Sequence, residues 1–391
     1  MERTWRWFGK NDKIKLDMLR QIGVEGIVSA LHDVKNGEIW PLEAIEEYKN
    51  YIESFGLRWS VVESLPVSES IKYAGNDSDL LISKYIESLK NLGKAGVKTV
   101  CYNFMPVLDW ARTDLYYQWE DGSSSLFFDK AKFAYFEIHI LGRKQAINDY
   151  SNEILSKVEA MHSTISEKEK EDLVDTIIVK TQGFVNGNIK EGELNPVEKF
   201  KSLLALYEGI DKNQLRENMK YFLEQIMPVC EEYEIQMCVH PDDPPFALLG
   251  LPRIVTCEDD IDWFLNAVDN PHNGLTFCTG SLSAGLKNDV PKLAKKYASR
   301  TKFVHLRSTN VFENGDFIEA HHLEGRGKLI EVIKIFEQEN PGLPMRVDHG
   351  RLLTDDIDKG YNPGYSFLGR MLALGQIHGV IETVKHEQNQ N

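Results

Sequence analysis

EIQMCVH (Glu234–His240), GLTFC (Gly274–Cys278), KFVHL (Lys302–Leu306) and PMRVD (Pro344–Asp348) are short apolar runs that each carry a metal-ligating side chain at or next to their carboxyl end. Segments of helical period separate them: Ile261–Val268, Val290–Ala298 and Lys328–Glu337. Runs this uniformly apolar predict parallel strands buried on both faces. Donors at the ends of successive parallel strands meet at the mouth of a (β/α)₈ barrel, where that architecture keeps its chemistry. His240, Cys278, His305 and Asp348 therefore predict a metal site of two imidazoles, a thiolate and a carboxylate. The thiolate makes it softer than an all-oxygen cage and favours Fe(II), Zn(II) or Mn(II). Cys238 competes as the thiolate, but it lies two residues earlier on its strand, roughly 6–7 Å deeper in the barrel. Cys278 is the better ligand.

Working outward, four more strands are expected at Thr4–Phe8, Gly26–Ala30, Leu57–Glu63 and Val97–Asn103, with helices at Lys13–Ile22, Leu42–Ser54 and Asp79–Leu92. Eight strands alternating with helices predict a closed α/β barrel, a TIM barrel, as one domain over residues 1–391. One connection breaks the rhythm. Residues 104–233, after the fourth strand, hold an aromatic polar loop (Trp110–Phe128) and helical stretches near Ala131–His162, Glu167–Ile178 and Asn195–Glu208. This mainly helical insertion leaves from a strand's carboxyl end, so it is expected on the catalytic face as a lid, a subunit contact, or both. The charged run SEKEKEDLVD reads as a solvated helix face, and the closing HEQNQN as a frayed tail.

A formal net charge of −15 in 391 residues argues against a nucleic-acid partner. No apolar run is long enough for a membrane span, and MERTWRWFGK lacks the apolar stretch of a signal peptide. Five cysteines without CxxC spacing predict free thiols rather than a disulfide framework, and with it a cytoplasmic setting.

MRVDHGR, FVHLRS, FCTGSLS, CVHPDDPP, the opening RTWRWFG and the late NPGYS together resemble the D-mannonate dehydratase family, one of the xylose isomerase-like barrels. The resemblance runs from Arg6 to about Gly379. It implies dehydration of D-mannonate to 2-keto-3-deoxy-D-gluconate in hexuronate breakdown, with Mn(II) or Fe(II) on His240, Cys278, His305 and Asp348. It also implies two catalytic residues: His349, directly after the metal aspartate, and Tyr365 in the PGY motif.

Such a reaction must remove a proton beside a carboxylate and expel hydroxide from the neighbouring carbon, which calls for a base, an acid and a Lewis acid. Tyr365 is expected at the C2 proton and His349 at the leaving hydroxyl; the tyrosine then needs an arginine or the metal to lower its pKa. An acidic chain must still hold an anion, and Arg307, Arg351 and Arg6 stand where a carboxylate clamp is useful. His32, Glu63 and Asn103 fall near strand ends within reach of distal hydroxyls, and His321 and His322 are expected at the periphery. Asp242 and Asp243 read equally as supports of the site or as turn residues. Trp5, Trp7 and Phe8 read as barrel packing, and Gly280–Gly285 as a tight turn near the metal. A homodimer built partly on the insertion is expected. The competing readings are a metal-dependent sugar isomerase or epimerase, a repair endonuclease on a similar barrel, which the charge disfavours, and a non-catalytic sugar-acid sensor. The sensor has no use for His349 and Tyr365.

Overall fold

The computed structural model describes residues 1–183, 189 and 192–390. Eight parallel strands close a barrel in chain order: β1 (Glu2–Arg6), β2 (Gly26–Ser29), β3 (Arg58–Glu63), β4 (Thr99–Tyr102), β5 (Gln236–Val239), β6 (Asn273–Cys278), β7 (Thr301–Leu306) and β8 (Pro344–Val347), with β8 pairing back to β1. Val28, Val61, Cys101, Cys238 and Phe303, from β2, β3, β4, β5 and β7, pack together inside the barrel, so the interior is a filled core rather than a pore. Cys238 is thus interior filling. The expected strands all form, most within two residues of the expected bounds; the first is displaced towards the N-terminus by two.

Eight helices form the outer shell: α1 (Leu16–Gln21), α2 (Leu42–Glu53), α3 (Ser78–Lys94), α4 (Lys212–Tyr233), α5 (Glu258–Ala267), α6 (Val290–Tyr297), α7 (Leu329–Glu339) and α8 (Phe367–Asn389). α4 starts on the Asp211 carboxylate, which accepts the Gln214 amide hydrogen. Its Leu215, Met219, Phe222, Leu223 and Ile226 enter the main core. At roughly 1.5–3 kcal/mol per side chain, that burial ties α4 to the barrel shell. The last part of residues 104–233 is therefore barrel helix, and the true excursion ends before Lys212. The helical conformation also continues to Asn389, through most of the stretch expected to fray, because Ile377, Ile381 and Val384 keep one face of α8 buried.

The excursion has a core of its own, which includes Phe133, Phe136, Ile154, Ile177 and Phe200. Within the expected Trp110–Phe128 loop lies a hairpin, Asp114–Gln118 with Ser124–Phe128. Gly122 turns it with φ +82°, which the missing Cβ permits. A second hairpin from the loop after β7, Thr309–Val311 with Phe317–Glu319, extends it into a four-stranded antiparallel sheet. Phe128 and Phe317 stack across that junction, centroids 5.1 Å apart.

Candidate metal and catalytic site

Strand register assembles the site. Cys278 on β6 pairs with His305 on β7, and Arg346 on β8 pairs with His305 from the other side. The next residues continue the ladder: the Asp348 amide donates to the Leu306 carbonyl (3.1 Å), and the His240 amide to Tyr102 (2.7 Å). His240 Nε2 and His305 Nδ1 face each other at 3.1 Å. With Cys278 Sγ, these donor atoms all lie within 4.8 Å of one another. Asp348 Oδ2 joins from the Cys278–His305 side, at 4.0 Å from the sulfur and 3.8 Å from His305 Nδ1. Ligands about 2.0–2.3 Å from a four-coordinate ion stand roughly 3.3–3.8 Å apart, so the cluster fits a divalent cation with small adjustments. The four sequence-selected donors are together.

Charge favours the ligating form of the acids. Burial opposes the Cys278 thiolate, but Arg307 and His240 hold the thiol well below its usual range. Burial likewise opposes ionised Asp348, and Arg346, His349 and Arg307 outweigh it. Burial would push His240 down, yet the Cys278 charge and hydrogen bond, with Asp109 and Glu63, raise it to about 9. In this donor set the imidazole carries the proton that a bound metal ion displaces. Cys278 also caps the one-turn helix Thr279–Ser283, where a turn was expected, and accepts from Ser281 Oγ at 3.2 Å. A Cβ on Gly280 would collide with the Arg307 side chain, so glycine there lets Arg307 lie under the site.

The three arginines expected at substrate separate. Arg307 lines the cavity; it is 1% exposed and its donors go to carboxylates, Nε to Asp348 Oδ2 (2.8 Å), Nη1 to Glu319 (2.8 Å) and Nη2 to Asp243. Arg351 donates to Asp121 at 2.6 Å and contacts Ser123 and His321, bracing the hairpin turn. Arg6 lines the cavity, packs over Phe8, and has a buried Nη1 with no hydrogen-bond partner among the described residues. Asn103 also lines the cavity and donates to Asp109 Oδ2 (3.1 Å).

His349 and Tyr365 face the same cavity, rings edge to face at 5.2 Å. His349 Nδ1 lies 3.1 Å from Glu319 Oε1, and Tyr365 Oη donates to Asp348 Oδ1 at 3.4 Å. Tyr361, four residues before Tyr365, does not line this cavity. Burial and the Asp348 charge raise the Tyr365 phenol, against the pull of Arg346 and Arg6. Asp243 supports the site through Arg112 and Arg307, whereas Asp242 anchors a loop by accepting the Ile254 and Val255 amides (2.8 and 2.7 Å). Glu63 pairs with Arg346 through both oxygens (2.8 and 3.0 Å). His32 lines a neighbouring pocket, lowered to about 3 by burial and Arg6, and buried His322 is lowered to about 4 chiefly by burial.

Sequence reasoning missed Arg346, Glu319, Arg112 and Trp110. Arg346 carried a signal: two residues before Asp348, it shares that strand face, and its Nε donates to His305 Nε2 at 3.2 Å. Trp110 packs on His349, centroids 5.0 Å apart.

A closed eight-stranded parallel barrel whose carboxyl mouth gathers imidazole, thiol, carboxyl and phenol side chains defines a TIM barrel with its candidate site in the usual place. The fold is shared with D-psicose 3-epimerase of Clostridium cellulolyticum H10 (TM-score 0.51, 10% identity, 99% of each chain). The chain belongs to the D-mannonate dehydratase family, whose model matches residues 1–391. It is 45% identical to a mannonate dehydratase of Marinomonas sp. over 390 residues (97% of this chain, 98% of the relative). It is 41% identical to mannonate dehydratase 2 of Agrobacterium fabrum (99% and 98%). The crystal structure of mannonate dehydratase from Streptococcus suis serotype 2 superposes with TM-score 0.80 at 33% identity, covering 99% of this chain and 96% of that one. The chain is thus an enzyme, a hydro-lyase by family. Among the described residues no helix is long and apolar enough to cross a membrane.

Proposed function

We propose that this enzyme dehydrates D-mannonate to 2-dehydro-3-deoxy-D-gluconate, using Mn(II) or Fe(II) held by His240, Cys278, His305 and Asp348. The observation that carries the reading is that His240 and Asp348 of that donor set line one cavity with His349 and Tyr365, while the Cys278 and His305 donor atoms lie within 4.8 Å of that of His240. A divalent ion held there would supply Lewis acidity and would offset the Asp348 charge that, after burial, keeps the Tyr365 phenol protonated. Arg6, with its unpartnered buried nitrogen, holds the substrate carboxylate, while Arg307 and Arg351 act through other side chains. Asn103 contacts a distal hydroxyl. Tyr365 abstracts the C2 proton and His349 protonates the departing C3 hydroxyl, an order that requires the phenol to ionise against burial. Residues of the excursion, Trp110 foremost, shield the cavity from water.

The test is NMR of D-mannonate incubated with the full chain and Mn(II) in D₂O. The expected product is the 2-keto-3-deoxy acid carrying one deuterium at C3; unconsumed mannonate overturns the reading. His349→Asn that still exchanges the C2 hydrogen without elimination has lost the acid, as the proposed order requires. Free cysteines at all five positions support a cytoplasmic enzyme. We also propose a homodimer, tested by sedimentation: a species near twice 44.8 kDa is expected, and a species of 44.8 kDa contradicts it.

A further inference from the structure

Glu319 belongs to no barrel strand. It ends the short strand Phe317–Glu319, which the sheet beside the barrel mouth holds against Ser124–Phe128. Its side chain is 1% exposed and points back to the catalytic cavity. One oxygen, Oε1, accepts from Arg112 Nη2 (2.6 Å) and Arg307 Nη1 (2.8 Å) and lies 3.1 Å from His349 Nδ1. Oε2 is buried without a hydrogen-bond partner among the described residues. The two guanidinium groups, with burial opposing them, hold the carboxyl ionised, at about 2. An ionised carboxylate only accepts hydrogen bonds, so the hydrogen of this contact belongs to His349 Nδ1. The other nitrogen, Nε2, then faces the cavity, 3.8 Å from Asp348 Oδ1. Trp110 and Tyr365 flank the ring at 5.0 and 5.2 Å and oppose a flip.

We propose that Glu319, fixed by Arg112 and Arg307, is the positioning residue for His349, accepting the Nδ1 hydrogen and setting the ring orientation so that Nε2, which carries the transferable proton when the ring acts as an acid, faces the reacting atoms. The inference rests on the dehydratase reading for what His349 does, and on the geometry alone for how His349 is held. It also gives the excursion a chemical task, since Arg112, donating to Glu319 and Asp243, comes from it. Carboxylates that orient an imidazole in this way fix which nitrogen is available. The competing role for Glu319 is a counter-charge for the two arginines. Arg307 keeps Asp348 and Asp243 as partners without it, and Arg112 keeps Asp243.

The experiment compares Glu319→Ala, Glu319→Gln, His349→Asn and Glu319→Ala/His349→Asn in the full chain. Mn(II)-supported kinetics are read on all four, and histidine-ring ¹⁵N correlation spectra are read on the metal-free wild type and the two Glu319 variants. Glu319→Ala is expected to lower kcat about 10- to 100-fold, with KM within about threefold and bound manganese unchanged. The double variant is expected to be no slower than His349→Asn, because the two residues act as a unit. The wild-type His349 ring is expected to carry its hydrogen on Nδ1, and Glu319→Ala to lose that preference. Additive losses, a raised KM with intact kcat, or manganese lost from Glu319→Ala overturn the proposal in favour of the counter-charge role. If Glu319→Ala does not fold, Glu319→Gln decides. It keeps an acceptor, so the Nδ1 hydrogen should persist with a partial loss of kcat, and kcat unchanged from wild type overturns the proposal. The spectra need no turnover, so a wild type inactive on mannonate counts against the dehydratase reading, while a wild-type His349 ring with no hydrogen on Nδ1 counts against this one.

Discussion

The mouth of the barrel and the sheet beside it both deliver side chains to one cavity, yet they are built by different rules. At the mouth each candidate metal donor stands within one residue of a strand's carboxyl end, and parallel register sets neighbours side by side: Cys278 beside His305, Arg346 beside His305. In the sheet, two hairpins separated by nearly the whole second half of the barrel meet edge to edge, and Arg112 reaches Glu319 only through that meeting. The mouth holds the candidate metal donors. The sheet and the loop before it supply Trp110, Arg112 and Glu319, the residues that surround His349. Chemistry sits on the rigid part and its alignment on the part added to it.

If that division is right, substitutions at the mouth should remove the reaction outright and those in the sheet should mis-set it. The largest effect is expected from Cys278→Ala or His305→Ala: metal content and turnover both fall to background, checked by elemental analysis beside the assay. Next come Tyr365→Phe and His349→Asn, with kcat down about 10²–10⁴-fold and metal retained; loss of metal from either would show a ligand mistaken for a catalyst. Arg112→Ala leaves Asp243 and Glu319 with one cation fewer in a buried site. About 3–5 kcal/mol of stability should be lost in denaturant unfolding, and a change under about 1 kcal/mol would mean the sheet is not tied to the mouth in this way. Arg6→Met should raise KM about 10- to 100-fold, the worth of a charged hydrogen bond of about 1.5–3 kcal/mol, with Arg351→Ala within about threefold. Equal effects would erase the distinction drawn between those arginines.

The smallest effect concerns pH. Glu319 is depressed to about 2, burial opposing and Arg307 and Arg112 prevailing. A carboxyl depressed on folding stabilises above its unfolded value, about 4.3, and loses that contribution as pH falls through its folded value. The stability gap between wild type and Glu319→Gln should therefore be full above about pH 4.5 and narrow towards pH 2; a gap constant over that range contradicts the assignment.

The same contrast explains what could be read from sequence. The barrel and its four candidate metal donors were legible because a parallel strand buried on both faces is a continuous apolar run, and its end is visible in the chain. His349 and Tyr365 came through motif resemblance, since nothing in local periodicity marks them. Arg346 was legible in principle, by its two-residue spacing from Asp348. The hairpin 114–128 escaped because its register shifts between Asp114 and Tyr117, which blurs the alternation, and because its sheet is completed by strands nearly 200 residues away. The Asp121–Gly122 turn between aromatic runs was its one local signal. α4 was absorbed into the insertion because length alone does not show which helix returns to the barrel. Arg307 looked like a substrate clamp from its place after His305; its three carboxylate partners come from three distant segments, and only the folded chain shows that they engage it.

The most direct test of the central claim, a metal-dependent dehydratase at the barrel mouth, is turnover of D-mannonate by chelated protein after restoring Mn(II), Fe(II), Zn(II) or no ion. The account predicts 2-keto-3-deoxy acid only with Mn(II) or Fe(II), and none from Cys278→Ala with any ion. Product from the metal-free enzyme, or none with any ion despite one metal bound per chain, would contradict it.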